Sequence, residues 1–460
     1  MTWVSLWLAA RALPLAGLRM KKDQEKIAVS KLGRASKIAS TGAKVGSNYL
    51  KHYAKRLVNK GSKDELDQDN AKDVYEAFSE LKGGPLKMAQ MLSLGDQLLP
   101  KAYTAQFAQA QNKVTPLSYP LIRKTFKKEV GQNPEDIFKN FTKQAVNAAS
   151  IGQVHKGSID GIDYAIKLQY PGVADSLKSD INMLAPIAIK MFGLKKNEIA
   201  PYMEEVESKL MEETNYEQEM SNAHRSIRQC GSLKNVVFPE FMPKLSGKRV
   251  ITMTWIDGEG LADWIKTDPS QKQRNKIGQA LWDFYQYQIH ELRFMHADPH
   301  PGNFIITPKG DLRVIDFGCI KEIPMDFHKS YLKLLQYGNE MDSEEFCSAL
   351  IELGLYNPSA PLKERQLILS TFPEMFELVG RPLLQYSFDF SSDDYFKEIY
   401  QKGEALSRNS DMRGLSAQGS KHFIYFNRTY FGLYQLLNQL KANINTSNAI
   451  MKRPLKKSVI

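Results

Sequence analysis

Hydrophobic positions change their period along the chain. Over residues 25–58, Ile27, Val29, Leu32, Ile38, Val45, Tyr49, Leu50, Tyr53 and Leu57 recur at spacings of three and four, with Lys31, Arg34, Lys37, Lys44, Lys51 and Lys55 between them. That pattern predicts one basic amphipathic helix, suited to an interface or to packing by its apolar stripe. Gly61–Asn70 reads as a polar linker, and helical periodicity returns over 71–112 and 120–140. Gly83-Gly84-Pro85 marks a helix start before Lys87. From about 145 the texture turns to short β-like runs, QVHKG, DYAIKLQ, VVFPEF and RVITMTWI, interrupted by one long helix at about 201–230. After Gly258 the chain reads as helical apart from FII and LRVI. A β-rich lobe followed by a helical lobe predicts an α+β arrangement with a cleft between them.

Composition narrows this little. The 460 residues, 42% apolar and 25% charged, exclude wholesale disorder and a disulfide mini-protein. Cys230, Cys319 and Cys347 fit no zinc spacing. Charge is more informative. Residues 1–60 hold 13 Lys/Arg against 2 Asp/Glu, whereas the other 400 carry 49 of each. The basic character is an N-terminal device, with a small echo at Lys452, Arg453, Lys456 and Lys457. Such asymmetry points to an anionic partner, and without aromatic interleaving a lipid surface is favoured over nucleic acid. Residues 3–18 are apolar but broken by Arg11 and Pro14, too short to span a bilayer. Residues 1–19 are expected to be an apolar leader or an upstream mis-read start, with Met20 the natural beginning.

The chemistry lies in five places. VIDFGC at 314–319 puts Asp316 at a strand end before Gly318, as a kinase presents a magnesium ligand. In HADPHPGN, Asp298 and Asn303 have the spacing of a catalytic loop, Asp orienting the attacking group and Asn a second metal ligand. Pro299 and Pro301 forbid a helical zinc pair from His296 and His300, so a metal hydrolase there is remote. Lys167, in YAIK, suits the α/β-phosphates. Glu213, on the apolar stripe of Met203, Val206, Leu210 and Met220, is expected as its partner. Upstream, NAASIGQV stands where a glycine loop would cover the phosphates; Gly152 and Val154 keep the pattern, while Asn147 and Ala149 replace glycines. The backbone of Ala148, Ala149, Ser150, Ile151 and Gly152 is expected over the phosphates. Met253, Trp255 and Ile256 are placed at the adenine by their position after RVITMTWI. Only Cys319–Pro324 separate DFG from the next helix, at about 326–338, and no A-P-E follows. That argues against docking a peptide substrate.

Together these residues resemble the UbiB/AarF family of atypical kinases over about 70–330. The alanine loop, Lys87-Met88-Ala89-Gln90 as a K-x-G-Q signature, Glu213-Thr214-Asn215 as an E-x-D element, and HADPHPGN with DFG carry the likeness. The resemblance implies a protein-kinase-like bilobal fold with a helical N-terminal extension folded over the cleft. It implies Lys87 near Glu213 and the phosphates, so that Lys87, Lys167, Glu213 and Asp298 form the catalytic set, with Asn303 and Asp316 on Mg²⁺. It implies ATP and Mg²⁺ as cofactors, ATPase activity over protein phosphorylation, and a role in isoprenoid quinone (ubiquinone-type) metabolism at anionic membranes, with quinone precursors or quinone-biosynthesis enzymes as partners. Ala89, Asn215 and Asn147 depart from the family pattern. The expected organisation is a leader at 1–19, a basic arm at 20–60, a helical extension at 71–143, an N-lobe at 144–258 and a C-lobe at 259–460. Without a clear transit peptide, a bacterial cytoplasmic site peripheral to the inner membrane is expected. The alternatives are a non-catalytic ATP-switched scaffold or lipid-binding chaperone, and a small-molecule phosphotransferase.

Overall fold

The computed structural model describes residues 24, 25, 27, 30–57, 62–92, 101–108, 115–192, 207–208, 210–337, 343–413 and 419–447. The expected leader, Met203 and Val206 of the helical stripe, and the C-terminal basic cluster lie outside them. Contacts divide the described residues into two compact units: a first built from those within 24–221 and 240–255, and a second from those within 222–239 and 256–447.

In the first unit, α1 (Lys31–Leu57), α2 (Lys63–Leu81), α3 (Gly83–Leu92), α4 (Lys101–Ala108), α5 (Tyr119–Val130) and α6 (Val173–Phe192) accompany a sheet. Its strands run β1 (Asn147–Ala148), β2 (Gly152–Ile159), β3 (Ile162–Gln169) and β5 (Val250–Thr254), all antiparallel neighbours. One core joins helices and sheet, with Phe78, Leu81, Phe107, Phe126, Ile166, Leu168 and Val173 inside it.

Three sequence expectations change here. The stretch read as a linker is the start of α2, where Ser62 accepts a hydrogen bond from the Glu65 amide and Asp64 and Glu65 favour the helix N-terminus. α6 was hidden by Pro186 within its span. The single helix at 201–230 is broken at Thr214-Asn215, and α7 (Tyr216–Cys230) restarts with the Asn215 side chain accepting from the Gln218 amide.

The basic helix α1 is two-sided. Ile38 and fully buried Arg34 face the unit, and Arg34 grips Asp180 of α6 through Nε–Oδ1 at 2.8 Å and Nη2–Oδ2 at 2.6 Å. Its Nη1 also donates to the Leu81 carbonyl, and Ser176 donates to Asp180, so the buried charges are paired and hydrogen-bonded. Leu32, Leu50 and Tyr53, expected on the apolar stripe, are exposed instead. The packed face therefore rests on a buried ion pair that periodicity does not register. At the start of α3, Gly83 adopts φ +59°, and a Cβ there would sit 2.7 Å from Val173 Cγ1. Glycine lets α3 meet α6 closely.

The second unit has α8 (Leu261–Lys266), α9 (Gln271–Gln286), α10 (Met325–Tyr337), α11 (Ser343–Glu352), α12 (Leu362–Gly380), α13 (Asp393–Arg408) and α14 (Lys421–Gln439). A small sheet runs β4 (Val236–Val237), β9 (Leu312–Val314), β8 (Phe304–Ile306), β6 (Glu259–Gly260), and β7 (Phe294–His296) pairs with β10 (Ile320–Glu322). Phe284, Tyr285, Tyr331, Tyr430 and Tyr434 are fully or almost fully buried.

Candidate functional site

The site residues of the first unit surround β2 and β3. Lys167 projects from β3, half-exposed, and its Nζ meets Glu219 at 2.8 and 3.0 Å. The Glu219 side chain is 4% exposed. Glu213 is therefore not the partner of Lys167. The break at Thr214-Asn215 starts a new helix and brings a residue six positions further on to the lysine. The Lys167 ammonium also stands 5.1 Å over the Tyr216 ring. Glu213 pairs with Lys87 of α3 at 2.5 Å. Two lysine–glutamate pairs thus replace the shared one that the sequence suggested. The side chains of Ala89 and Gln90 lie outside the described residues. Asn215, which departs from the family aspartate, caps α7; asparagine and aspartate do this equally well.

The covering loop is pinned at both ends. Ala149 donates to the Gly152 carbonyl, Ser150 accepts from the Gly83 amide, and Ile151 accepts from the Tyr170 amide. Ser150 and Ile151 are buried, Ala148 is half-buried and Ala149 is exposed. Gly152 is required sterically, since a Cβ there would lie 2.5 Å from the Leu168 carbonyl oxygen. Val154 pairs with Lys167 across the ladder, so loop and lysine share one rigid hairpin. Met253 is buried on β5 opposite Ala165. Trp255 carries the Lys156 ammonium 4.8 Å from its ring and donates its amide to Asp163. The chain leaves the first unit after Trp255, and buried Ile256 belongs to the second.

In the second unit the β8–β9 hairpin pairs Phe304 with Val314. Asn303, just before β8, and Asp316, just after β9, are brought together by that register, and the Ile315 amide donates to the Asn303 carbonyl at 3.1 Å. Asn303 Nδ2 donates to the Asp298 carbonyl and to Asp298 Oδ2, at 2.9 and 3.0 Å. Its amide nitrogen is thereby committed, which leaves Oδ1 as the acceptor it presents. Asp316 Oδ1 accepts from the Gly318 amide at 2.9 Å. His296 is fully buried, and its Nε2 lies 2.8 Å from the Asp316 carbonyl. A carbonyl only accepts, so Nε2 carries the proton, and this histidine serves to place Asp316. His300 is exposed, with Nδ1 accepting from Gly302. Phe317 is fully buried and its carbonyl accepts from Asn222.

A carboxylate and an amide oxygen on adjacent hairpin ends are hard donors of the kind Mg²⁺ takes, and Asp316 and Asn303 would hold it. When bound, that ion would neutralise charge on the transferred phosphoryl group. No cluster of three or more His, Cys, Asp or Glu that could hold a metal alone occurs among the described residues. Two further residues that touch these groups, Glu219 and Arg428, lie in none of the motifs. Glu219 was hidden by the helix break, for which Asn215 as an N-cap was the available signal. Arg428 of α14 reaches Asp298 Oδ1 at 2.7 Å across 130 positions, and no local signal marks it.

Comparison with known proteins agrees with this geometry. Residues 109–349, just over half of the chain, match the ABC1 atypical kinase-like domain. The chain is 26% identical to "Probable serine/threonine-protein kinase abkA" of Dictyostelium discoideum, over 93% of this chain and 80% of that one. It is 27% identical to "Atypical kinase COQ8, mitochondrial" of Saccharomyces cerevisiae, over 63% of this chain and 58% of that one. Of several other curated relatives it spans about half the length. A solved structure titled "The complex structure of Rv3197-erythromycin from Mycobacterium tuberculosis" superposes with a TM-score of 0.57 at 22% identity, covering 85% of this chain and 98% of that one. That likeness carries the fold alone. Motif, fold and sequence agree that the chain is a kinase-like α+β protein and belongs to the ABC1 (UbiB/AarF) family of atypical kinases.

Proposed function

We propose that this protein binds Mg-ATP and passes the γ-phosphoryl group to water or a small molecule, in support of isoprenoid quinone metabolism at an anionic membrane surface. The observation that carries the reading is the grouping of Asp298, Asn303 and Asp316 about one hairpin, where a carboxylate and an amide oxygen would serve as ligands beside an orienting carboxylate. Lys167, held by Glu219, would meet the α/β-phosphates. The pinned loop at Ala148–Gly152 would cover them, and Met253, Trp255 and Ile256 would flank the adenine. Lys87 and Glu213 would act as a second charge pair of the first unit, besides Lys167–Glu219.

Support for the membrane comes from α1, which is anchored by Arg34 and exposes Leu32, Leu50 and Tyr53 with Lys44 and Lys51. Cations among exposed apolar groups suit an anionic lipid interface. No helix of the described residues is long and apolar enough to cross a membrane. The quinone role is carried over from the family resemblance and the relative named COQ8. That relative is named mitochondrial, while others come from the bacterium Synechocystis, and the bacterial inner-membrane-peripheral site expected from the sequence stays part of this proposal.

The test is Mg-ATP hydrolysis by the full chain with vesicles of neutral or anionic phospholipid, beside Asp316→Asn. Hydrolysis that rises with anionic vesicles and falls about a hundredfold or more in the variant is expected. ATP binding without turnover under every lipid condition would favour the switched scaffold.

A further inference from the structure

The loop Ala297–Asn303 contains no lysine or arginine, yet phosphoryl transfer develops negative charge next to the orienting aspartate. A cation arrives from elsewhere in the second unit. α14 lies against the loop by one face. Arg428 Nη2 donates to Asp298 Oδ1 at 2.7 Å. One turn on, Gly432 meets Pro299 so closely that a Cβ there would sit 2.2 Å from Pro299 Cγ. One turn earlier, Tyr425 lies under the Lys321 ammonium at 4.6 Å, just past DFG. Positions 425, 428 and 432 share a helix face, so the missing side chain at 432 is what allows Arg428 to reach the aspartate.

We propose that Arg428 is the positioning residue for Asp298. Arg428 holds Oδ1 and Asn303 holds Oδ2, which fixes the carboxylate plane from two sides. A carboxylate has about four lone-pair sites, so the remaining ones can face the attacking water or hydroxyl in a set direction. The pair is 22% and 38% exposed, and a solvated ion pair contributes little to folding stability. Its value lies in orientation, where a misplaced group costs rate. The inference rests on the Mg-ATP reading above.

The experiment measures steady-state Mg-ATP hydrolysis and melting temperature for the full-length protein, Arg428→Met, Arg428→Lys, Asp298→Asn and the Asp298→Asn/Arg428→Met double variant. Arg428→Met is expected to lose about ten- to a hundredfold in kcat, with KM for ATP within about twofold and an unchanged melting temperature. Arg428→Lys should fall between it and the parent. Added guanidinium at sub-denaturing concentration should restore part of the Arg428→Met rate and none of the Asp298→Asn rate. The double variant should be no slower than Asp298→Asn, because Arg428 acts through that carboxylate. Full turnover in Arg428→Met, a loss confined to KM, or losses that multiply in the double variant would each overturn the proposal. Should Arg428→Met melt early, Arg428→Lys and the guanidinium response decide alone. If the unmodified protein binds Mg-ATP and hydrolyses none, the enzyme reading fails and takes this proposal with it; a hydrolysing parent with an indifferent Arg428 fails the proposal alone.

Discussion

Burial lowers the Lys82 amine to about 7. The residue is fully buried at φ +58° between α2 and α3, donates to the Thr115 carbonyl, and lies 5.3 Å over the Tyr170 ring. Those contacts do not cancel its desolvation. Between about pH 7 and 10.5 the unfolded chain holds a proton that the folded chain has lost, so stability rises with pH across that window. Below about 7 both states are charged and the full penalty remains. Lys82→Met should therefore raise the melting temperature at pH 6.5 or so, with the gain shrinking as the pH approaches about 10. Thermal melts of both proteins across that range decide it, and a gain independent of pH would contradict it. At this scale the sequence was legible where chemistry is local. Asp298, Asn303 and Asp316 sit in contiguous motifs. Glu219 and Arg428 were not legible, because each is defined by what it touches across a helix break or 130 positions of chain.

At the scale of elements, helix α1 depends on a buried ion pair as well as on its apolar stripe. Arg34→Met would leave Asp180 buried and unpaired, at a cost of about 3–5 kcal/mol. Adding Asp180→Leu should return part of that loss, since a paired charge and a packed apolar pair are of similar stability. Denaturant unfolding of the single and double variants is the measurement, and equal losses in both would show that the pair does not anchor the helix. Strand texture located β2, β3 and β5 well: buried and half-buried positions alternate along β2, Tyr164, Ala165, Ile166 and Leu168 are buried in β3, and β5 is short and almost wholly buried. Helix ends were less legible. The polar stretch before Asn70 belongs to α2 because Ser62 caps it, and the run around Glu213 is two helices because Asn215 caps the second. Both caps are visible in sequence, but both were outweighed by composition in one case and by periodicity in the other.

Across the whole molecule, two compact units each carry a self-consistent set of groups. The first holds a pinned loop, Lys167–Glu219 and Lys87–Glu213; the second holds Asp298, Asn303, Asp316 and Arg428. The kinase-like class was legible because motif order and spacing survive without any alignment. Under the proposed function these groups move the γ-phosphoryl group of ATP and do not place it on protein. The most direct measurement follows the label of γ-³²P-ATP with Mg²⁺ and the full chain on anionic vesicles, with Asp316→Asn alongside. Label is expected to appear as inorganic phosphate or on a small molecule, with none on protein and none released by the variant. Label retained in ATP throughout, or transferred to protein hydroxyls, would contradict it.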